Sequence, residues 1–280
     1  MLLIANPESG SGADTDAMTV RLRELGADTV LVPIDDLDGL RPGSAELDGV
    51  QRVAAAGGDG TLGPAAALAA HLDVPLAVIA TGTANDLARA LDLPLDDLDA
   101  ALRLAATGSR TRRVDLAYAG RTPFLNASSC GLSVHATTRA EPLKRWLGPL
   151  SYAAGALHAG LRATPVHVQV HVEDDDAVYT GPAWQVIVAG TGAFGAGSEL
   201  DEAEPGALDV AILTGGRRIA LVRRAYGMRN GGLIDQPGVL QARGSTVTVK
   251  GPGSFNVDGD VREVPEGRFT LGPRIGIIVA

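Results

Sequence analysis

The stretch Val50-Gln51-Arg52-Val53-Ala54-Ala55-Ala56-Gly57-Gly58-Asp59-Gly60-Thr61 passes from an apolar run through a glycine-rich loop into an alanine-rich segment, Thr61 to Leu72. The run Val50 to Ala55 has the length of a strand, and the alanine-rich segment has the propensity of a helix. A strand, a glycine loop and a helix in that order make one unit of a parallel α/β sheet. The pattern repeats in both directions. Leu2 to Ala5, Thr29 to Val32 and Leu76 to Ile79 are further predicted strands. Ala13 to Leu25, with Met18, Leu22 and Leu25 at helical spacing, and Leu95 to Ala106, with leucine recurring, are further predicted helices.

Two more loops follow predicted strands: Asn6-Pro7-Glu8-Ser9-Gly10 and Thr81-Gly82-Thr83-Ala84-Asn85-Asp86. In a parallel sheet all three loops gather at the carboxyl edge, where ligands bind. Glycines let backbone N–H groups approach phosphate oxygens, and a helix starting near Thr61 adds its positive end. Asp59 and Asp86 sit inside these anion-favouring loops. That combination suits a divalent cation bridging carboxylate and phosphate, or a carboxylate that activates a hydroxyl. Any one loop alone is better read as a tight turn before a helix, with Asn85 or Asp86 capping a helix over Leu87 to Leu91. The three together favour a nucleotide. The chain has no Gly-x-x-x-x-Gly-Lys-Ser/Thr, and no Gly-x-Gly-x-x-Gly after its first strand, so the ordinary P-loop and dinucleotide folds do not apply.

Near Arg110 the texture changes to period-two alternation, in Arg112 to Leu116 and again in Val166 to Val172. Glu173-Asp174-Asp175-Asp176 has the makings of a hairpin turn. Further strands are expected at Trp184 to Ala189, Leu208 to Leu213, Thr246 to Lys250 and Ser254 to Val257, with helices around Ser151 to Leu161 and Arg217 to Met228. Arg268 to Val279 reads as one or two strands split at Gly272-Pro273. The expected division is an α/β domain over 1–118, a β-rich domain over 119–267, and terminal strands 268–280 whose return to the first domain periodicity leaves open.

With 280 residues, 45% of them hydrophobic, two domains can each bury a core. The net charge of −9 disfavours nucleic acid, whose binding rests on clustered cations. Cys130 is the single cysteine, so no internal disulfide forms, and Met1-Leu2-Leu3-Ile4 runs into polar residues without a signal-peptide core. A cytoplasmic location is expected. No apolar run approaches the roughly 20 residues that span a bilayer, so membrane contact would be peripheral. The five histidines lack metal-ligand spacing. Arg139, Lys144, Arg145 and Trp146 stand beside apolar residues in His135 to Leu161. They fit a dock for anionic headgroups and an ordinary amphipathic helix about equally.

The ordered set Asn6-Pro7-x-Ser9-Gly10, Gly57-Gly58-Asp59-Gly60-Thr61 and Gly82-Thr83-x-Asn85-Asp86-x-Ala88-Arg89 resembles the diacylglycerol kinase catalytic-domain family, which includes bacterial lipid kinases and is related to sphingosine kinases. The likeness continues through Arg113-Val114-Asp115, Phe124-Leu125-Asn126, the Gly131 region, Leu208-Asp209-Val210 and Val257-Asp258-Gly259-Asp260, nearly the whole chain. It implies a nucleotide-binding α/β domain, a β-sandwich domain, and an active site in the cleft between them. By that likeness Asn6, Pro7, Ser9, Gly10, Gly57, Gly58, Gly60, Thr61, Thr83 and Asn85 would hold ATP. Asp59 and Asp86 would organise Mg²⁺ and acceptor, and Asp260 would be the base. The implied partner is a lipid substrate at a membrane surface; a homodimer is compatible with the sequence.

The chain departs from the family at four places. Asp260 stands where glutamate is usual, one methylene shorter in reach. Pro205-Gly206 replaces an Asp-Gly that helps hold a structural Mg²⁺, leaving Glu202 or Glu204 as substitutes. Gly63 replaces a common asparagine, and Ala80 a common proline. The expected activity is ATP-dependent phosphorylation of a hydroxyl on diacylglycerol or a related lipid. The alternatives are a catalytically silent nucleotide- or lipid-binding regulator, motivated by Pro205 and Asp260, and an NAD kinase, which shares a Gly-Gly-Asp-Gly loop but fits the later motifs poorly.

Overall fold

The computed structural model describes residues 1–6, 14–40, 46–132, 164–173, 176–190, 193–194, 198–199, 206–215 and 238–280. In chain order these form β1 (Leu2–Ala5), α1 (Thr15–Glu24), β2 (Val30–Pro33), β3 (Val53–Gly57), α2 (Asp59–Leu72), β4 (Leu76–Ala80), α3 (Asp86–Ala90), α4 (Leu98–Thr107), β5 (Arg110–Ala119) and β6 (Thr122–Phe124). Then follow β7 (Ala127–Gly131), β8 (Val166–Val172), β9 (Ala177–Ala189), the short pair β10 (Ala193–Phe194) and β11 (Ser198–Glu199), and β12 (Leu208–Thr214). The chain ends with β13 (Val239–Gly244), β14 (Thr246–Lys250), β15 (Phe255–Val257), β16 (Asp260–Arg262) and β17 (Arg268–Val279). The expected helices at 151–161 and 217–228 lie outside the described residues. Two compact units result. The first is Met1–Leu116 with Thr122–Leu125 and Gly272–Ala280; the second is Ala117–Arg121 with Asn126–Leu271.

In the first unit the strands run parallel in the order β2-β1-β3-β4-β17. Every residue of β1 and β3 is buried, as expected where both faces of a parallel sheet are covered. Alternate residues Leu3, Ala5, Ala54, Ala56, Ala77 and Ile79 share one core cluster with Met18 and Leu22 of α1 and Ala101, Leu102 and Ala105 of α4. Each helix is started by an aspartate. The Asp14 Oδ1 accepts from the N–H groups of Asp16 and Ala17, both at 3.0 Å, and the Asp97 Oδ1 from Ala100 N–H at 2.9 Å. The helix α2 packs against β3 and β6. A Cβ on Gly63 would lie 2.3 Å from the Pro123 carbonyl oxygen, which accounts for glycine at this family asparagine position.

The second unit is antiparallel. The long strand β9 branches: residues Ala177 to Ala183 pair with β8, while the remainder pairs with β7 on one side and β12 on the other. Ala127, Trp184, Ile187, Ala189, Ala211 and Leu213 form a core there, and Phe255 meets Phe269 edge to face with centroids 5.3 Å apart.

Two expectations are corrected. The strand β5 does not alternate: Val114 to Ala117 are buried in succession, because this stretch is enclosed on both faces. The terminal segment, expected as one or two strands split at Gly272-Pro273, is a single strand that runs unbroken across that pair. Its residues Arg268 to Thr270 pair antiparallel with β14, and Ile277 pairs parallel with Leu76 of β4, so partners along both halves keep the backbone extended through the missing proline N–H.

Candidate active site

The order β2-β1-β3-β4 means that the chain leaves β1 on one side and returns on the other, which puts a topological switch point between β1 and β3. Ligands of open α/β sheets bind outside the carboxyl ends of the strands at such a point. Asn6 N–H donates to Ala56 O at 3.1 Å and Thr81 N–H to Gly57 O at 3.0 Å. These bonds carry the ladder one residue past the strands, so the starts of all three glycine-bearing loops lie side by side. Pro7, Ser9 and Gly10 fall outside the described residues.

The second and third loops touch through glycine. A Cβ on Gly82 would lie 2.4 Å from Gly58 Cα, and one on Gly57 only 2.2 Å from Thr61 Oγ1. No side chain fits at either place. Gly58 is the N-cap of α2 and Thr61 N–H donates back to its carbonyl at 2.9 Å. With glycine there, no capping side chain covers the helix start, and the leading N–H groups of a 14-residue helix offer an anion site. Thr61 itself is buried against Gly57, whereas Gly60 and Thr83 are exposed.

Asp59 and Asp86 are the first residues of α2 and α3, and the Asp59 Oδ1 accepts a hydrogen bond from Asp86 N–H at 2.9 Å. The turn that brings them together is made by Asn85, which is buried with φ 52° and ψ 47°. Its Nδ2 donates to Gly82 O at 2.9 Å instead of its side chain capping α3, so the simple capping role allowed by the sequence does not hold for Asn85. Arg89 Nε closes the loop on Ala84 O at 2.9 Å. Two carboxylates thus stand beside the positive end of a helix, an arrangement that fits a cation carried in with phosphate. Among the described residues no group of three or more His, Cys, Asp or Glu is placed to hold a metal. Mg²⁺ that arrives with a nucleotide needs only one or two carboxylates, the rest of its shell being phosphate and water, and Asp59 and Asp86 are the pair that would supply them.

Asp115, from the Arg113-Val114-Asp115 motif, is buried in the first unit, 3.2 Å from Arg274 Nε of β17. In the second unit, the Val257 to Asp260 motif is a two-residue hairpin. Asp258 and Gly259 have φ 46° and 99°, and Val257 pairs with Asp260, the geometry for which an Asp-Gly pair is preferred. Asp260 is exposed at the start of β16 and forms an ion pair with Arg262 at 3.1 Å. Gly82 and Asp258 are absent from the residues singled out by sequence. Both lie inside family motifs, Gly82 in Gly82-Thr83-x-Asn85-Asp86 and Asp258 in Val257-Asp258-Gly259-Asp260, and for Asp258 the Asp-Gly turn pair was a second signal. Glu202, Glu204, Arg139, Lys144, Arg145 and Trp146 lie outside the described residues.

Comparison with known proteins gives two consecutive matches. The diacylglycerol kinase catalytic domain model matches residues 1–119, and the YegS C-terminal NAD kinase beta sandwich-like domain model matches 126–275. The protein named "Probable lipid kinase YegS-like" of Xanthomonas oryzae pv. oryzae is 33% identical over 264 residues, covering 81% of this chain and 82% of the relative. The chain belongs to the diacylglycerol kinase and YegS-like lipid kinase family. A diacylglycerol kinase of Mycobacterium tuberculosis is 26% identical to this chain over 299 residues, covering 98% of this chain and 95% of its own. A diacylglycerol kinase from Bacillus anthracis superposes with a TM-score of 0.73 at 20% identity, covering 100% of this chain and 96% of that one, so the two share a fold. No helix of the chain, among the described residues, is long and apolar enough to cross a membrane.

Proposed function

We propose that the chain transfers the γ-phosphate of ATP to a hydroxyl of diacylglycerol or a related lipid presented at a membrane surface. The observation that carries this reading is the contact of Gly58 with Gly82 beside the Asp59–Asp86 hydrogen bond at the carboxyl edge of the first sheet. The glycines leave backbone N–H groups approachable by phosphate oxygens, and the helix start of α2 favours their charge. ATP with Mg²⁺ supplies the transferable phosphoryl group. Asp59 and Asp86 would hold the Mg²⁺ that comes with the nucleotide, which would neutralise phosphate charge. Asp260 takes the proton of the acceptor hydroxyl, with Asp59 the other carboxylate able to do so. Catalysis by such a set is mainly positioning and charge neutralisation.

The test is transfer of labelled γ-phosphate to diacylglycerol, sphingoid base, ceramide, glycolipid, NAD and no-lipid controls in mixed micelles. Labelled lipid is expected, and D59A is expected to abolish it; an unchanged D59A rate removes Asp59 from the mechanism. A second reading, a silent nucleotide- or lipid-binding regulator, is favoured by the exposed, Arg262-paired Asp260. It requires ATP binding with no labelled product from any acceptor. Labelled NAD would instead make the chain an NAD kinase.

A further inference from the structure

We propose that Asp258 is the positioning residue for Asp260, clamping the hairpin that carries it onto the start of β7; this rests on the phosphoryl-transfer reading above. The strands β15 and β16 are three residues each, and a hairpin that short is marginal by itself. The ion pair of Asp260 with Arg262 is exposed on both sides, so it does little to fix either side chain. The hairpin is instead held through its turn. One oxygen of Asp258, Oδ1, accepts hydrogen bonds from the N–H groups of both Asn126 and Ala127, at 3.1 Å each. Asp258 N–H donates to Ala127 O at 3.1 Å, and Gly259 N–H to Asn256 Oδ1 at 3.0 Å. The pairing of β15 with β7, Asn256 with Ser129 and Val257 with Ser128, is therefore continued past its last rung by the Asp258 N–H and by its carboxylate. Hydrogen bonds to a carboxylate are about twice as strong as neutral ones. The two amides are those of the first residues of the second unit after Leu125.

The shortened base makes this clamp matter. Aspartate at 260 reaches one methylene less far than the usual glutamate, so a displaced turn cannot be made good by a different rotamer of a longer chain. A misplacement of about 1 Å can cost on the order of 100-fold in rate. Asp258 touches neither phosphate nor hydroxyl in this scheme and acts only through the turn.

Three variants decide it. D258G keeps the positive φ and removes the acceptor, D258S keeps a short hydroxyl, and D258N keeps an oxygen that accepts both amides and tolerates φ 46°. Lipid phosphorylation is followed with the acceptor that the wild type uses, with amide exchange at Asn126 and Ala127 measured on the same proteins. D258G and D258S are expected to lower kcat by about 10- to 100-fold with the KM for ATP unchanged, and to speed exchange at both amides. D258N is expected to keep most of kcat and the slow exchange. Wild-type kcat in D258G or D258S overturns the proposal. So does a D258N that is as slow as D258G with its amides still protected, because the charge of Asp258 would then be needed in the reaction itself. A wild type silent toward every lipid removes the kinase reading and this role together, whereas an active wild type with unimpaired D258G removes this role alone.

Discussion

Asn85 turns the chain between β4 and α3 in a left-handed conformation, and its side chain ties that turn to Gly82. Two costs therefore fall on different substitutions. Glycine keeps the backbone conformation and loses the hydrogen bond, worth about 0.5–1.5 kcal/mol. Alanine loses the bond and adds left-handed strain of roughly 1–2 kcal/mol. N85A is expected to be less stable than N85G, and both less stable than wild type, in urea unfolding at equal m-value. If N85A and N85G unfold at the same midpoint, the strain assigned to this turn is wrong. Both variants should also raise the KM for ATP, since Gly82 and Asp86 lie on either side of the turn. The sequence placed Asn85 in the loop after the fourth strand and left open whether it caps a helix or meets a nucleotide. The bond to Gly82 O shows that its side chain ties the turn and does not cap α3.

At the scale of elements, α2 shows why composition can be legible and its reason not. Alanine and glycine from Thr61 to Leu72 signalled a helix, and the helix is there, beginning two residues earlier at Asp59. Gly63, however, looked like a lost family asparagine. It is the point where α2 meets the backbone of β6, with Pro123 C and O and Phe124 Cα all within 3.2 Å of a would-be Cβ. G63N is expected to destabilise by about 1–3 kcal/mol through overpacking, seen as a fall in Tm. An unchanged Tm would mean that β6 yields easily. The strand β17 carries the opposite lesson. Its Gly272-Pro273 pair signalled a break, yet partners far away in sequence on both halves hold it extended.

For the whole molecule, the two units are built from opposite local rules: parallel strands with helices between, and antiparallel strands with turns between. Cys130, the single cysteine, lies buried in the second of these, and burial pushes its thiol up to about 12. A free thiol ionises near pH 8.5. The protonated thiol therefore contributes stability below that value, and the contribution is lost as pH rises from there through about 12. At pH 8 a thiol-alkylating reagent should label Cys130 only at the rate at which the second unit opens, and denaturant should accelerate it. Rapid labelling without denaturant would show that β7 is accessible in the fold. The sequence by itself determined the α/β character of the first unit, the β character of the second, the loops that carry glycine and aspartate, and the family. Those properties are encoded in periodicity, turn chemistry and motif order, each local to a few residues. Tertiary structure alone decided that Gly82 rests on Gly58, that Asp59 accepts from Asp86, that β17 runs unbroken and that Asp258 holds Asn126 and Ala127. Each of those contacts joins residues brought together by the pairing of distant strands, where close approach and hydrogen-bond geometry, rather than local propensity, select the partner.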